Sequence, residues 1–229
     1  MSSSLKLSGI FTDAVNEHLN IIRQLETQRD AFEEAAVLIS DALLAGNKVI
    51  WCGNGGSASD SQHFAAELVG HFRRPRGPLA SIALTTDSCV LTAIANDFGF
   101  DEVFERQIEA VCRPGDVVVG ISTSGDSRNV CAALRKARTL EAATIAMTGK
   151  SGGRLAEVAN VCIRVPSINP ARIQEAHILC GHMLCEWIEV ATCTNHINHV
   201  NHGNHSNHNH QDNRANHLNA PRVLQGGRR

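Results

Sequence analysis

Lys48-Val49-Ile50-Trp51-Cys52 runs directly into Gly53-Asn54-Gly55-Gly56-Ser57 and then into Ala58-Ser59-Asp60-Ser61-Gln62-His63-Phe64-Ala65-Ala66-Glu67. The first five residues are apolar on both faces and include β-branched side chains, as a strand covered on both sides of a parallel sheet requires. The glycines allow a tight turn, and residues 58–72 read as a helix. The same strand-turn-helix pattern recurs downstream. Ser81 to Leu84, Asp116 to Ile121, Ala143 to Met147 and Val161 to Val165 read as further strands, with helices at about 102–112, 128–138 and 153–159 and a long last helix at about 170–192. Alternation of strand and helix predicts an α/β fold, a doubly wound parallel sheet. Right-handed crossovers then place helices on both of its faces.

Upstream of this unit, Phe11, Val15, Leu19, Ile22 and Leu25 recur at spacings of three and four, as do Phe32, Ala36, Ile39 and Leu43. Two amphipathic helices therefore open the chain. Capping the sheet and joining subunits both require such a stripe. Downstream, the composition changes at Asn195, where Asn-His pairs begin to repeat every three residues. Residues 195–229 hold 7 of the 12 histidines and few large apolar side chains, and so predict a low-complexity, disordered extension with histidines able to chelate zinc or nickel. Residues 1–194 form the folded domain.

Composition excludes several classes of function. The 229 residues suffice for one substantial core, and 21 basic against 23 acidic side chains provide no field to hold a nucleic-acid backbone. The body alone carries 17 basic and 22 acidic groups, so it is mildly acidic while the tail is basic. No apolar run reaches the length of a membrane span, and the first residues lack the pattern of a signal peptide. The eight cysteines sit in apolar segments without a CxxC pair, which predicts buried free thiols in a reducing, cytoplasmic setting.

Ligands of open α/β sheets bind beyond the carboxyl ends of the strands. Two such ends are rich in small and polar residues: Gly53 to Ser57 after the first strand, and Ser122-Thr123-Ser124-Gly125-Asp126-Ser127 after the third. Backbone N–H groups at a helix start, joined by four hydroxyls, suit one phosphate monoester. There is no Walker lysine and no GxGxxG, which argues against nucleoside triphosphates and dinucleotides. Ordinary capped turns are the alternative reading. On the helix after the first loop, His63 and Glu67 are four residues apart and share a face, able to hold a divalent metal together or to act as a base and its orienting partner. On the last helix Gln174 and His182 fall on nearly one side, while His177 points elsewhere and reads as a packing residue or one that supports the site from behind.

GNGGSASDSQHFAAEL, ALTTDSCVLTAIANDFGFDEVFERQ, STSGDS and RIQEAH, in this order, resemble the sugar isomerase (SIS) family, within it the branch acting on heptose phosphates. The resemblance extends from the N-terminal helices to about residue 192. It implies a three-layer αβα sandwich with a five-stranded parallel sheet, and an aldose-ketose isomerase converting sedoheptulose 7-phosphate to D-glycero-D-manno-heptose 7-phosphate through an enediolate, in the supply of ADP-heptose for lipopolysaccharide core. Asn54, Gly55, Gly56 and Ser57, with Asn96 and Asp97, would contact the sugar, and Ser122, Thr123, Ser124 and Ser127 the phosphate. His63, Glu67, Gln174 and His182 would hold one zinc ion per subunit, with Glu67 and Gln174 also touching substrate. Glu67 and His182 would be the proton-transfer pair. A homotetramer with sites between subunits is implied as well.

Two features depart from the family pattern. His71 stands where many relatives carry a basic residue, and the Asn-His tail is foreign to it. The family also contains a non-catalytic member that binds a replication initiator, as well as sugar-phosphate sensors. In the initiator-binding relative the position of Glu67 is not acidic, so the carboxylate here favours catalysis.

Overall fold

Strands β1 (Val49–Gly53), β2 (Ser81–Ala83), β3 (Val117–Ser122), β4 (Ala143–Thr148) and β5 (Val161–Arg164) form one parallel sheet in the order β2-β1-β3-β4-β5. Each strand lies within one residue of its predicted bounds. The computed structural model describes the backbone of residues 2–203 and the side chains of residues 9–193. Helices α1 (Ser2–Gln24) and α2 (Arg29–Leu44), joined by a 3-10 turn at Leu25–Gln28, precede β1. α3 (Gly56–Val69) follows β1, α4 (Ser88–Asp97) and α5 (Glu105–Val111) follow β2, and α6 (Arg128–Thr139) follows β3. α7 (Gly153–Val158) and α8 (Pro170–Gly203) complete the described chain.

Successive side chains of a strand point to opposite faces, and here this divides the core in two. Val49, Trp51, Val119, Ile121, Ile145 and Met147 pack against α2, α3 and α8. Ile50, Cys52, Val118 and Ala146 pack against α5, α6 and α7. Every residue of β1 and β3 is buried, which explains their uninterrupted apolar reading. Trp51 and Phe64 meet with ring centroids 5.4 Å apart, and burial of each such ring stabilises the fold by about 1.5–3 kcal/mol. At the other end of the sheet buried Asp116 accepts from Lys48 N at 3.0 Å and Arg113 N at 2.7 Å, fixing the starts of β1 and β3 together.

Some expectations needed amending. α4 is an element the sequence reading lacks: Asp87 caps it by accepting from Val90 N at 3.0 Å, and Leu91, Ile94 and Ala95 pack partly buried against the second core. The first stripe is buried only near its end: Ile21 of α1 and Leu25 of the following turn are buried while Phe11, Val15 and Leu19 are exposed, and α1 packs mainly on α8. α8 continues to Gly203, through the first Asn-His pairs, and the rest of the expected tail lies outside the described residues. All eight cysteines are free, five of them buried, but Cys89 is exposed at the start of α4. Among the described residues no helix is long and apolar enough to cross a membrane.

Candidate active site

The chain leaves β1 through α3 on one face of the sheet and β3 through α6 on the other, so the strand order reverses between β1 and β3. Such a switch point opens a crevice at the carboxyl ends of the two strands. Both polar loops predicted from the sequence flank it.

The loop after β3 forms a hydroxyl cluster. Ser122 Oγ lies 2.8 Å from Ser127 Oγ and 3.3 Å from Ser124 Oγ, at the N-terminus of the 12-residue helix α6. Ser122 is buried, Thr123 and Ser127 are partly buried and Ser124 is exposed. Gly125 turns the loop with φ +73°, and a Cβ there would lie 2.1 Å from the carbonyl oxygen of Gly152. Only glycine fits both the left-handed backbone and that contact.

Across the crevice, Asn54 and Asn129 exchange two hydrogen bonds: Asn54 Nδ2 donates to Asn129 Oδ1 and Asn129 Nδ2 to Asn54 Oδ1, each at 2.9 Å. Asn129 Oδ1 also accepts from Val130 N. The sequence reading missed Asn129, whose only signal was its place two residues after Ser127. Gly55 and Gly56 lead into α3, and Ser57 is buried at its first turn. Gly56 leaves room for Gln174 from α8: a Cβ on Gly56 would be 2.6 Å from Gln174 Nε2. Asp60, one turn on, lines a cleft with Gly56, Ser59 and Gln174. Its burial, only partly offset by the positive charge available on His63, pushes its carboxyl up to about 6, and among the described residues its Oδ2 has no hydrogen-bond partner.

α3 and α8 also bring the predicted titratable residues together. His63 Nε2 lies 2.8 Å from His182 Nε2 and 3.6 Å from Glu67 Oε1. Two neutral imidazoles at this distance form one hydrogen bond, one ring donating and the other accepting. Phe72 stacks on the His182 ring, centroids 5.2 Å apart and planes 21° apart. His177 is fully buried with Nε2 3.2 Å from the Thr148 carbonyl oxygen, and burial pushes its imidazole down to about 4 against the pull of that carbonyl. It is the packing residue its helical angle suggested. Asn96 and Asp97 stand on the exposed end of α4, where Asn96 Nδ2 donates to Asp97 Oδ1 at 2.8 Å. Among the described residues no side-chain hydrogen bond joins either one to the loops of the crevice. His71 is exposed.

Two imidazoles, a carboxylate and an amide oxygen are donors that zinc accepts. The donor chemistry at His63, Glu67 and His182 fits such an ion; Gln174 instead packs at Gly56, the first residue of α3, about two turns before His63. Among the described residues, though, no three His, Cys, Asp or Glu side chains are drawn around one point as a finished metal cage.

A family model for the SIS domain matches residues 11–149. The chain is 50% identical over 188 residues to the phosphoheptose isomerase of Aquifex aeolicus, a match covering 82% of this chain and 97% of that protein. It is 51% identical over 164 residues to the phosphoheptose isomerase of Rhodospirillum rubrum, covering 72% and 87%. The solved structure of the phosphoheptose isomerase from Neisseria gonorrhoeae matches with a TM-score of 0.76 at 42% identity, over 80% of this chain and 99% of that one. With its sheet order, its two polar loops and relatives of this kind, the chain belongs to the SIS-domain family, in the group of the phosphoheptose isomerases.

Proposed function

We propose that this protein is an isomerase of sedoheptulose 7-phosphate, producing D-glycero-D-manno-heptose 7-phosphate in the cytoplasm for ADP-heptose and lipopolysaccharide core synthesis. The observation that carries the reading is the meeting of Glu67, His63 and His182 between α3 and α8, in a domain whose β3 loop gathers the hydroxyls of Ser122, Ser124 and Ser127. Exchange of ketose and aldose removes a proton from the carbon next to a carbonyl and returns it to the neighbouring carbon. Glu67 moves that proton, and His182 gives and takes the proton at the substrate oxygens, stabilising the enediolate charge. Ser122, Thr123, Ser124 and Ser127 donate to the phosphate, helped by the N-terminal N–H groups of α6. Asn54 to Ser57 hold the sugar, with Gln174 at their side; Asn96 and Asp97 join them if α4 is brought to the crevice.

His63, Glu67, Gln174 and His182 would hold one zinc ion, which when bound would act as a Lewis acid on the substrate oxygens. An apolar face left open by α1, α2 and α8 supports a homotetramer. Phe11 is 74% exposed, and Val37, Leu44, Met183, Trp187 and Val190 line one cleft of about 720 Å³. A patch this extensive calls for a partner surface.

The test is conversion of sedoheptulose 7-phosphate by the full-length protein with zinc added, beside Glu67→Gln. Aldoheptose phosphate formed by the wild type, and reduced by about 10²–10⁴-fold in a folded Glu67→Gln protein, is the expected result. A folded wild type that turns over no substrate at any zinc concentration overturns the reading.

A further inference from the structure

Glu189 lies on α8 two turns beyond His182, and its side chain is 1% exposed. A buried carboxylate is costly unless it is paired and hydrogen-bonded. Here it accepts three successive backbone N–H groups, from Phe72 at 2.7 Å, Arg73 at 2.9 Å and Arg74 at 3.1 Å. It also faces Arg76, whose Nε is 3.2 Å from Glu189 Oε1 and whose side chain is 5% exposed. Burial works against this charge, yet the three N–H donors and Arg76 outweigh it and hold the carboxyl below its ordinary value.

Arg76 in turn donates to the carbonyl oxygens of Glu67 and Leu68, each at 2.8 Å, and of Gly70 and Gly77. The segment between α3 and β2 is thereby tied to α8 by two buried charges. What it presents to the site is the Phe72 ring, stacked on His182. The Arg73 guanidinium also lies over that ring, 5.4 Å from its centroid, and is itself paired with Glu186 at 2.8 Å. Fixing the backbone at Phe72, Arg73 and Arg74 sets the direction of the Phe72 side chain. With His63 against one nitrogen and Phe72 over one face, the His182 ring has little freedom to turn.

We infer that Glu189 and Arg76 are positioning residues that act through Phe72: they hold an aromatic cover over His182 and fix the plane of its imidazole for proton transfer. The inference rests on the proposed role of His182. The clamp reaches both members of the proposed proton-transfer pair, the ring of His182 and the backbone of Glu67. A purely structural tether would need neither an aromatic ring at position 72 nor a contact with His182.

The experiment compares Phe72→Leu, Phe72→Tyr and Glu189→Gln in the full chain. Phe72→Leu leaves the clamp intact and removes the stacked ring, so it serves even if Glu189→Gln fails to fold. Expected is a fall in kcat of about 10- to 100-fold in Phe72→Leu, as for a mispositioned group, with KM unchanged within about threefold and the melting temperature nearly retained. Phe72→Tyr restores kcat. Independently of turnover, NMR of isotope-labelled histidine, with His182 assigned by its absence in His182→Gln, reads the ring-current shift from Phe72. That shift should be kept in Phe72→Tyr and lost in Phe72→Leu and in folded Glu189→Gln. Retained kcat in Phe72→Leu, or a His182 signal that ignores Phe72→Leu or folded Glu189→Gln, overturns the inference. A wild type without turnover but with the expected shifts overturns the proposed function and leaves the clamp standing as a device that orients the ring.

Discussion

Gly181 of α8 faces the ring of Phe64 on α3 so closely that a Cβ on the glycine would lie 2.0 Å from two of the ring carbons. Their neighbours in sequence are His182 and His63, whose Nε2 atoms meet at 2.8 Å. The missing methyl therefore sets how near the two helices come, and with it whether the two histidines touch.

Gly181→Ala should accordingly disturb packing and site together. Forcing one methyl into a filled core costs about 1–3 kcal/mol, measured as a lower denaturation midpoint at unchanged slope. Adding Phe64→Leu to Gly181→Ala should recover part of this loss, because the two changes share one space. Additive losses would mean the contact is not the cause.

Asn129→Ala would leave the partly buried Asn54 amide without its partner. A stability loss of about 1–3 kcal/mol follows from the orphaned polar group, together with a higher KM for the sugar phosphate as the two loops lose their register. Equilibrium unfolding and steady-state kinetics on the same preparation check both. An unchanged KM would show that the loops are held apart from this pair.

Zinc should raise the melting temperature of the wild type, since a ligand bound only by the folded state stabilises it. The Asn-His tail can bind zinc too, so total metal content is a poor readout. His63→Gln keeps the tail and removes one donor, and the zinc-dependent rise should shrink in it. An equal rise in both proteins would place the effect away from His63.

His177 predicts an acid-sensitive stability. Its imidazole has an ordinary value of 6.5 and is pushed down to about 4 by burial. Between these values the unfolded chain binds a proton that the folded chain refuses, so stability falls as pH drops from about 6.5 towards 4. The full effect is about 3 kcal/mol. Asp60, raised from 3.8 to about 6, works in the opposite direction, its contribution being lost as pH rises through that range. Unfolding of the wild type and His177→Gln across this range gives the His177 part by difference. Parallel curves would assign the acid sensitivity elsewhere.

Local rules made much of the molecule legible. Strand limits came out within one residue because doubly buried strands are continuous apolar runs, and the loops after β1 and β3 were marked by small and polar residues at the start of helices. Helical spacing placed His63 with Glu67 and turned His177 away from Gln174 and His182. α4 escaped because its stripe of Leu91, Ile94 and Ala95 spans barely one turn and is only partly buried, and Cys89 was placed inside by an apolar context that the fold leaves at the surface.

The sequence by itself determined the alternation of strands and helices, the two polar loops after β1 and β3 and, through resemblance, the family. The tertiary structure alone decided which distant residues meet. His63 and His182 are 119 positions apart, Asn54 and Asn129 75, and Phe72 and Glu189 117. No periodicity encodes such pairs, because they depend on how closely α3 and α8 pack and on the β1-β3 adjacency. The glutamate at 189 looked like any other helical carboxylate until three N–H groups and an arginine were folded around it.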